Sequence, residues 1–413
     1  MLAFPGPDSK ITPSVTPKNS GTPLAALAGG LKLGGSTTFL LNLGRAFRER
    51  GFALPIVCLS EDHPMSPDFT AAGLRVQTIS ARKWIYEDRI RLAYEHLAAE
   101  RPRAVLACLG SDSFEVLRMV PGEVVRLGLI QSDDPSPYAM SRHFAGCLDG
   151  MLGVSESIAE KLRAEKAFVG KTIQSIPYGI QFSAAGERQA KAPGDPLRLI
   201  YVGRIIEEQK RVSRLVELAR LLVEWKVNFE WVFAGSGPEL DKTQAALKDV
   251  SQVRFLGNVP NAKVGELLRA QDVMVLLSDY EGLPLSLLEA MGEGVVPVIS
   301  DLQSGIREVV TPETGIKVPI GDVATAAEAI RSLALDPVRL AALSAASRRF
   351  ARREYSASRM ADRYLDLIDS FHRPATMWPA RMRVPTPLLV DRPWLFQGFP
   401  RRARRALKSI TGA

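Results

Sequence analysis

Two short apolar runs on either side of a turn and a helix constrain this chain more than any other feature. Residues 272–278 and 295–300 are mostly apolar, which is typical of strands buried on both faces of a sheet. Between them, Pro284 suits the first position of a helix, and Gly282 allows a backbone shape that other residues resist. The segment therefore predicts a βαβ unit of an open α/β sheet, in which ligands bind at the carboxyl ends of the strands.

Two carboxylates are expected to face that ligand crevice. Glu281 lies in the predicted loop and Glu289 on the predicted helix. The amino end of the helix offers free N–H groups and a partial positive charge, which favour an anion such as phosphate. Carboxylates accept hydrogen bonds from vicinal hydroxyls, so the pair suits a sugar on one side of the phosphate and a ribose on the other. The plainer alternative is an amphipathic helix with two solvated glutamates.

The sequence of residues 281–291 is Glu-Gly-Leu-Pro-Leu-Ser-Leu-Leu-Glu-Ala-Met. It resembles the Glu-x7-Glu motif of the large retaining glycosyltransferase family 4. The spacing alone arises often by chance, but the Gly-Leu-Pro insert, the Glu-Ala-Met ending and the flanking strands make the match specific. The resemblance implies the GT-B fold, in which two Rossmann-like domains face each other across the active site and the last helix crosses back onto the first domain.

The length of the chain and its pattern of strands and helices also predict two α/β domains. A chain of 413 residues is long for one domain and fits two of ordinary size. Strand and helix patterns alternate in both halves, which predicts an α/β fold with two doubly wound sheets. The predicted segments are an arm at 1–22, a first domain at 23–182, a linker at 183–196, a second domain at 197–355, a returning helix at 356–373 and a basic aromatic tail at 374–413.

Composition argues against several classes of protein. No apolar run approaches the roughly 18 residues that a membrane-spanning helix needs, and the first residues lack the pattern of a signal peptide. The three cysteines have no paired spacing, and the four histidines have no metal-ligand spacing. We therefore expect a cytoplasmic protein with reduced cysteines and without a metal centre.

The net charge of +8 is concentrated in the predicted tail. Residues 374–413 contain eight Arg or Lys and one acid, which leaves a net charge of only +1 for the rest of the chain. The body is thus near neutral, and nucleic acid binding is not expected. Aromatic residues beside the basic cluster, such as Trp394 and Phe396, suit an anionic membrane surface at the inner face of the cell membrane. A tail that wraps the body or is disordered is the alternative.

Two cations are expected to hold the donor diphosphate. Arg204 and Lys210 flank a short loop after the predicted strand 197–202, and two cations beside a helix start neutralise a diphosphate better than one. The segment resembles the family's Gly-Arg…Glu-Lys-Gly segment, in which Arg and Lys bind this diphosphate. Arg211 stands where the family has Gly, which is a departure from the pattern. Two ordinary surface cations are the alternative.

The first half of the chain contains residues that are candidates for binding the acceptor. By resemblance, Gly34, Gly35 and Ser36 form the glycine loop that faces the donor phosphates and the acceptor; an ordinary βα turn is the alternative. Gln131 stands where many family members have His at the end of a strand. Asp133 and Asp134 follow it and are candidates for hydrogen bonds to the acceptor, or for a capped turn before Pro135. They lack the Asp-x-Asp spacing of metal-dependent sugar transferases.

The resemblance implies roles for the donor-side residues. Glu281 would bind hydroxyls of the transferred sugar, and Glu289 would bind the ribose hydroxyls. The backbone around Phe255, Leu256 and Val259 would seat the nucleotide base. The backbone expected to line the sugar and phosphate belongs to Gly282, Leu283, Pro284 and Leu285. Arg204, Lys210 and the helix amino end would stabilise the leaving diphosphate without a divalent metal.

The expected function is therefore transfer of a sugar from a nucleotide-diphospho-sugar to a saccharide or lipid-linked hydroxyl acceptor, with retention of configuration. A bacterial cell-surface polysaccharide or glycolipid pathway is the setting that the family implies. Two other readings stay open: a sugar-nucleotide epimerase or phosphorylase on the same fold, and a non-catalytic scaffold of a polysaccharide assembly complex. The charged residues at 204, 210, 281 and 289 argue against the scaffold, and Gln131 is the one point in its favour.

Overall fold

A seven-stranded parallel sheet forms the centre of the first domain, in the order β3-β2-β1-β4-β5-β6-β7. The computed structural model describes residues 21–61, 64–80, 85–108, 110–182, 194–373 and residue 378. The strands are β1 (Leu24–Ala28), β2 (Ile56–Cys58), β3 (Val76–Thr78), β4 (Ala104–Ala107), β5 (Val125–Ile130), β6 (Gly150–Gly153) and β7 (Thr172–Ser175). The helices are α1 (Gly35–Glu49), α2 (Ser66–Ala71), α3 (Tyr86–Glu100), α4 (Ser111–Leu117), α5 (Pro135–His143) and α6 (Glu156–Ala164), with 3₁₀ turns at Ala145–Cys147 and Lys166–Phe168.

The second domain has a six-stranded parallel sheet in the order β10-β9-β8-β11-β12-β13. Its strands are β8 (Leu197–Val202), β9 (Phe229–Ala234), β10 (Val253–Gly257), β11 (Val273–Leu276), β12 (Val296–Ser300) and β13 (Ile316–Val318). Its helices are α7 (Glu207–Lys210), α8 (Val212–Glu224), α9 (Leu240–Ala246), α10 (Asn261–Arg269), α11 (Leu285–Gly292), α12 (Gly305–Val309), α13 (Val323–Leu335) and α14 (Pro337–Glu354). Two doubly wound parallel sheets confirm the predicted fold class.

The predicted βαβ unit is β11, α11 and β12. Both strands are fully buried and pair in parallel, as their apolar sequences predict. The unpredicted strands are β7 and β13, one edge strand of each sheet, which are short, partly exposed and without a clean apolar pattern. Pro284 lies at the N-cap of α11 rather than at its first helical position, so the predicted helix start was one residue early.

The last helix, α15 (Ala357–Ser370), packs on α1 of the first domain. The Phe39 and Tyr364 rings lie 6.2 Å apart, and Arg50 pairs with Asp362 at 2.6 Å. The chain crosses between the domains at Ile180, whose N–H donates to the Tyr355 carbonyl at 2.8 Å. The chain therefore passes between the domains twice, near Ile180 and near Tyr355, and the two crossing segments lie side by side.

A second contact between the domains lies beside the cleft. The amino end of α6 meets the amino end of α12, where the Ser157 N–H donates to Glu308 at 3.2 Å and the Ser157 hydroxyl donates to the Gln303 carbonyl at 3.1 Å. A Cβ built on Gly305 would lie 2.9 Å from the Ser155 Cβ, so these elements are in close contact. The cleft between the sheets is therefore bounded on this side.

Most of the predicted tail and linker lies outside the described residues. Trp378 is buried against the first domain, with its ring 5.8 Å from that of Tyr94. Just before it, Arg373 pairs with Asp149 at 2.7 Å. Within the described ranges, no helix combines the length and the apolar character needed to cross a bilayer.

Candidate active site in the cleft between the two sheets

A cavity of about 620 Å³ lies between the domains, and residues from both line it. Its walls are the loops that follow the carboxyl ends of β1, β5, β8, β9, β10 and β11. Parallel sheets place their ligands at this edge because the loops of neighbouring strands converge there. The predicted residues that line it are Gly34, Gly35, Ser36, Gln131, Arg204, Lys210, Glu281, Gly282, Leu283, Pro284, Leu285 and Glu289.

Lys210 and Glu281 form an ion pair in the wall of the cavity. The Lys210 ammonium lies 2.5 Å from Glu281 Oε1, and the two side chains are 11% and 7% exposed. The two residues come from different loops, after β8 and after β11, which meet only in the folded chain. A positive and a negative group are thus held side by side in the wall of the cavity.

Arg204 lies on the exposed loop after β8 and also lines the cavity. One guanidinium nitrogen donates to the Gln209 side-chain oxygen at 2.9 Å. A guanidinium has five N–H donors, so most of them stay available to an anion in the cavity.

Arg211 stands where the family has Gly, and it keeps the backbone conformation that glycine favours. Its backbone is left-handed, with φ 48° and ψ 54°, a conformation that favours glycine. Its side chain pairs with Asp279 and lies 3.8 Å from Glu207, and Arg214 also pairs with Asp279 at 2.6 Å. These ion pairs offset the backbone strain and tie α7 to the loop that carries Glu281.

Glu289 lies half-buried on α11 and lines the cavity. Removal from water raises the pKa of its carboxyl to about 8, and no neighbouring cation of the described chain opposes this shift. At neutral pH the group is therefore mostly protonated, and a carboxylic acid can both donate and accept a hydrogen bond.

The amino ends of α1 and α11 converge across the cleft. A Cβ built on Gly35 would lie 3.5 Å from the Leu285 Cβ. Gly34 caps α1 with φ 147°, a conformation that L side chains rarely adopt. Two sets of free backbone N–H groups, one from each domain, therefore border the same cavity and favour an anion.

Gly282 is needed for close approach between the domains rather than for an unusual backbone shape, which corrects the sequence-based expectation. It is absent from the left-handed positions found in the described residues. A Cβ at this position would lie 2.8 Å from the Gln131 carbonyl oxygen of the first domain, which is closer than such atoms approach. A side chain here would push the two walls of the cavity apart.

Gln131 lines the cavity, but the predicted acceptor residues Asp133 and Asp134 do not. Its carboxamide is buried, and neither the oxygen nor the nitrogen has a hydrogen-bond partner in the part of the chain that the structure describes. Asp134 instead caps α5 by accepting from the Ser136 N–H at 3.0 Å. Asp133 accepts from the Tyr138 hydroxyl at 2.8 Å and pairs with Lys161 at 2.5 Å. Both aspartates thus belong to the capped turn, and the predicted acceptor contact is not supported for them.

Leu256 does not line the cavity either, and its side chain is 47% exposed. The loop just after β10 lines it, through the predicted Val259 and through Asn258, Pro260 and Asn261, which the sequence analysis missed. Sequence reasoning also missed Asp68 of α2, Ser132 and Gln209, which line the same cavity. Gln209 stands next to Lys210 in a recognisable segment, whereas no motif marks Asp68 or Ser132. Across the described residues, no three His, Cys, Asp or Glu side chains cluster as a metal ion requires.

Comparison with known proteins agrees with this geometry. Residues 185–350 match the family described as glycosyl transferases group 1. The chain is 33% identical over 192 residues to the putative colanic acid biosynthesis glycosyltransferase WcaL of Escherichia coli K12, covering 44% of this chain and 46% of that protein. It thus spans about half the length of this relative.

Two further matches extend over most of the chain. The phosphatidyl-myo-inositol mannosyltransferase of Mycolicibacterium smegmatis is 23% identical over 350 residues, 78% of this chain and 87% of that protein. The crystal structure of S. aureus TarM, in complex with Fondaparinux, alpha-GlcNAc-glycerol and UDP, has a TM-score of 0.69 at 12% identity and covers 84% of this chain and all of that one. The chain therefore has the GT-B fold, and its residues 185–350 are similar to the glycosyl transferases group 1 family.

Proposed function

We propose that this protein is a retaining glycosyltransferase that moves a sugar from a nucleotide-diphospho-sugar to a hydroxyl acceptor. The single observation that carries the proposal is the convergence of Arg204, Lys210, Glu281 and Glu289 on one cavity between the domains. Cations for a diphosphate, a carboxylate for sugar hydroxyls and a carboxyl for a ribose are the groups that such a donor requires.

The donor would lie along the second domain. Its diphosphate would contact Arg204, Lys210 and the amino end of α11, while its sugar would reach Glu281. Bound diphosphate would share Lys210 with Glu281, since the ammonium has three donors and the ion pair uses only part of them. Glu289 lies on α11 and would bind the ribose hydroxyls, with the base toward the loop after β10.

The chemical step would be a substitution at the anomeric carbon. The bond from this carbon to the diphosphate oxygen breaks, and a bond to the acceptor oxygen forms on the same face. The departing phosphate oxygen takes the acceptor proton, so no protein nucleophile is required. The negative charge that develops on the diphosphate is stabilised by Arg204, Lys210 and backbone N–H groups held in place before the reaction, and we propose that no divalent metal takes part.

The acceptor would enter from the first domain, where Ser36, Gln131 and Ser132 face the cavity. The names of the relatives support an acceptor in bacterial cell-surface polysaccharide or glycolipid synthesis. A lipid-linked acceptor would lie at a membrane, and the basic aromatic segment 374–413 has the composition to bind an anionic surface. Co-sedimentation with anionic vesicles, comparing the full chain with one that ends at residue 380, tests this attachment while keeping Trp378.

The first experiment is a thermal-shift screen against UDP, GDP, ADP and their sugar conjugates, with Mg²⁺ or with EDTA. A rise in Tm with one nucleotide, equal in Mg²⁺ and EDTA and lost in Lys210→Ala, is expected. Absence of a shift with every nucleotide would favour a scaffold protein instead. Consumption of donor without acceptor, or only with inorganic phosphate, would identify an epimerase or a phosphorylase.

A further inference from the structure

Gln209 hydrogen-bonds to two charged residues of the proposed donor site, Arg204 and Glu281. Its side-chain oxygen accepts from Arg204 at 2.9 Å. Its side-chain nitrogen donates to the Tyr280 carbonyl at 3.1 Å and to Glu281 Oε2 at 3.4 Å. One carboxamide therefore joins the guanidinium on the loop after β8 to the carboxylate on the loop after β11.

The chemistry of a carboxamide fits these three partners. It has one acceptor oxygen and two N–H donors, and here the oxygen faces a donor while the nitrogen faces two acceptors. The reverse orientation would place the oxygen against the Tyr280 carbonyl and the Glu281 carboxylate, and the nitrogen against the Arg204 donor. A single orientation is thus favoured, and it fixes the positions of all three partners.

The backbone of Gln209 strengthens the same link. Its carbonyl accepts from the Asp279 N–H at 3.0 Å, next to the residues that its side chain binds. The adjacent Lys210 pairs with Glu281 Oε1. Both oxygens of Glu281 are therefore held by consecutive residues of α7, and Gln209 extends this network to Arg204.

We propose that Gln209 is a positioning residue, which holds the Arg204 guanidinium against the donor diphosphate and the Glu281 carboxylate against the donor sugar. This inference rests on the proposed function, because it assigns Gln209 a role through the two residues that would bind the donor. Without the carboxamide, Arg204 would leave its place on an exposed loop, and the bound diphosphate would have to order it again.

The test measures nucleoside diphosphate affinity in Gln209→Met, which keeps the length of the side chain and removes its hydrogen bonds. The probe is whichever of UDP, GDP or ADP binds the wild-type chain by calorimetry. We expect the Kd to rise about tenfold, as for loss of a hydrogen bond to a charged group. Gln209→Ala should show the same direction, and Gln244→Met, at an exposed position of α9, should leave the Kd unchanged.

The same substitution in an Arg204→Ala background separates positioning from general structural damage. If Gln209 acts through Arg204, the further loss of affinity there should fall below about threefold, because residues that share one interaction are not additive. An equal tenfold loss in both backgrounds, or unchanged affinity in Gln209→Met, would overturn the positioning role and leave the proposed function intact. Failure of the wild-type chain to bind any of the three nucleotides would overturn both.

Discussion

The Lys210 ammonium and the Glu281 carboxylate are 71 positions apart in sequence and 2.5 Å apart in the fold. Each is almost fully withdrawn from water, and each neutralises the other. Burying a charge is unfavourable unless it is paired, so each group offsets the burial of the other. A donor that offers phosphate to Lys210 and hydroxyls to Glu281 would add contacts from both halves of the substrate to this pair.

Removing either partner should abolish most activity. We expect Lys210→Ala to lower turnover by about 10²–10³-fold, which is the effect of deleting one group that stabilises developing charge. We expect Glu281→Ala to lower turnover by about 10²-fold, because the sugar would lose the group that positions it. Turnover is measured with the nucleotide sugar identified by the thermal-shift screen, and folding by circular dichroism. Arg220→Ala is the matched control, since it breaks an exposed ion pair with Asp249 far from the cavity and should leave turnover unchanged. Near-normal turnover in both cavity variants would contradict the assignment.

The buried Glu289 carboxyl should make stability depend on pH. Its pKa in the folded chain is about 8, above the usual value of 4.5, so its contribution to stability is fully present below pH 4.5 and is lost as the pH rises toward 8. Glu289→Gln has no charge to bury and should melt above the wild-type chain at pH 9 by at least about 2–4 °C, with a difference that shrinks toward pH 5. A difference in Tm independent of pH would contradict the raised pKa.

The sequence predicts the sheets well because their central strands are buried on both faces. Residues 273–276 and 296–300 are almost wholly apolar, and the observed strands β11 and β12 lie inside the predicted runs 272–278 and 295–300. The edge strands β7 and β13 are short and partly exposed and carry no such signal. Burial on both faces produces the apolar run, so the signal is strongest in the central strands of each sheet.

The site was predictable only in part, because its residues meet through tertiary contacts. The Glu281 and Lys210 segments carry recognisable motifs, but neither motif shows that Gln209, next to Lys210, contacts Glu281. Asp133 and Asp134 are predicted to bind the acceptor, yet Asp134 caps a helix and Asp133 contacts Tyr138 and Lys161. A polar residue at the end of a strand can serve a turn or a ligand, and only the structure distinguishes the two.

Glycine at position 211 should relieve the strain of the left-handed backbone that Arg211 adopts, and a comparison with alanine separates this gain from the loss of the ion pairs. Arg211→Ala removes the pairs with Asp279 and Glu207 and keeps the strain at φ 48°. Arg211→Gly removes both, so it should melt about 2–4 °C above Arg211→Ala, because the left-handed conformation is unfavourable for residues other than glycine. Thermal melts of the two variants decide this comparison, and an equal Tm would show that the backbone is not strained.

The contact of Gly282 with Gln131 should make the cleft intolerant of even one methyl group. A Cβ at position 282 would lie 2.8 Å from the Gln131 carbonyl oxygen, so Gly282→Ala should separate the walls of the cavity where the sugar would sit. We expect turnover to fall by about tenfold or more, because small misplacements of reacting groups reduce rates strongly.

The control is Gly265→Ala in α10, where a Cβ would meet only Glu293 Oε1, at 3.9 Å. This variant should leave turnover unchanged. Each domain of Gly282→Ala keeps its own sheet, so its secondary structure by circular dichroism should match the wild-type chain. Wild-type turnover in Gly282→Ala would show that the two domains need not approach this closely for the reaction.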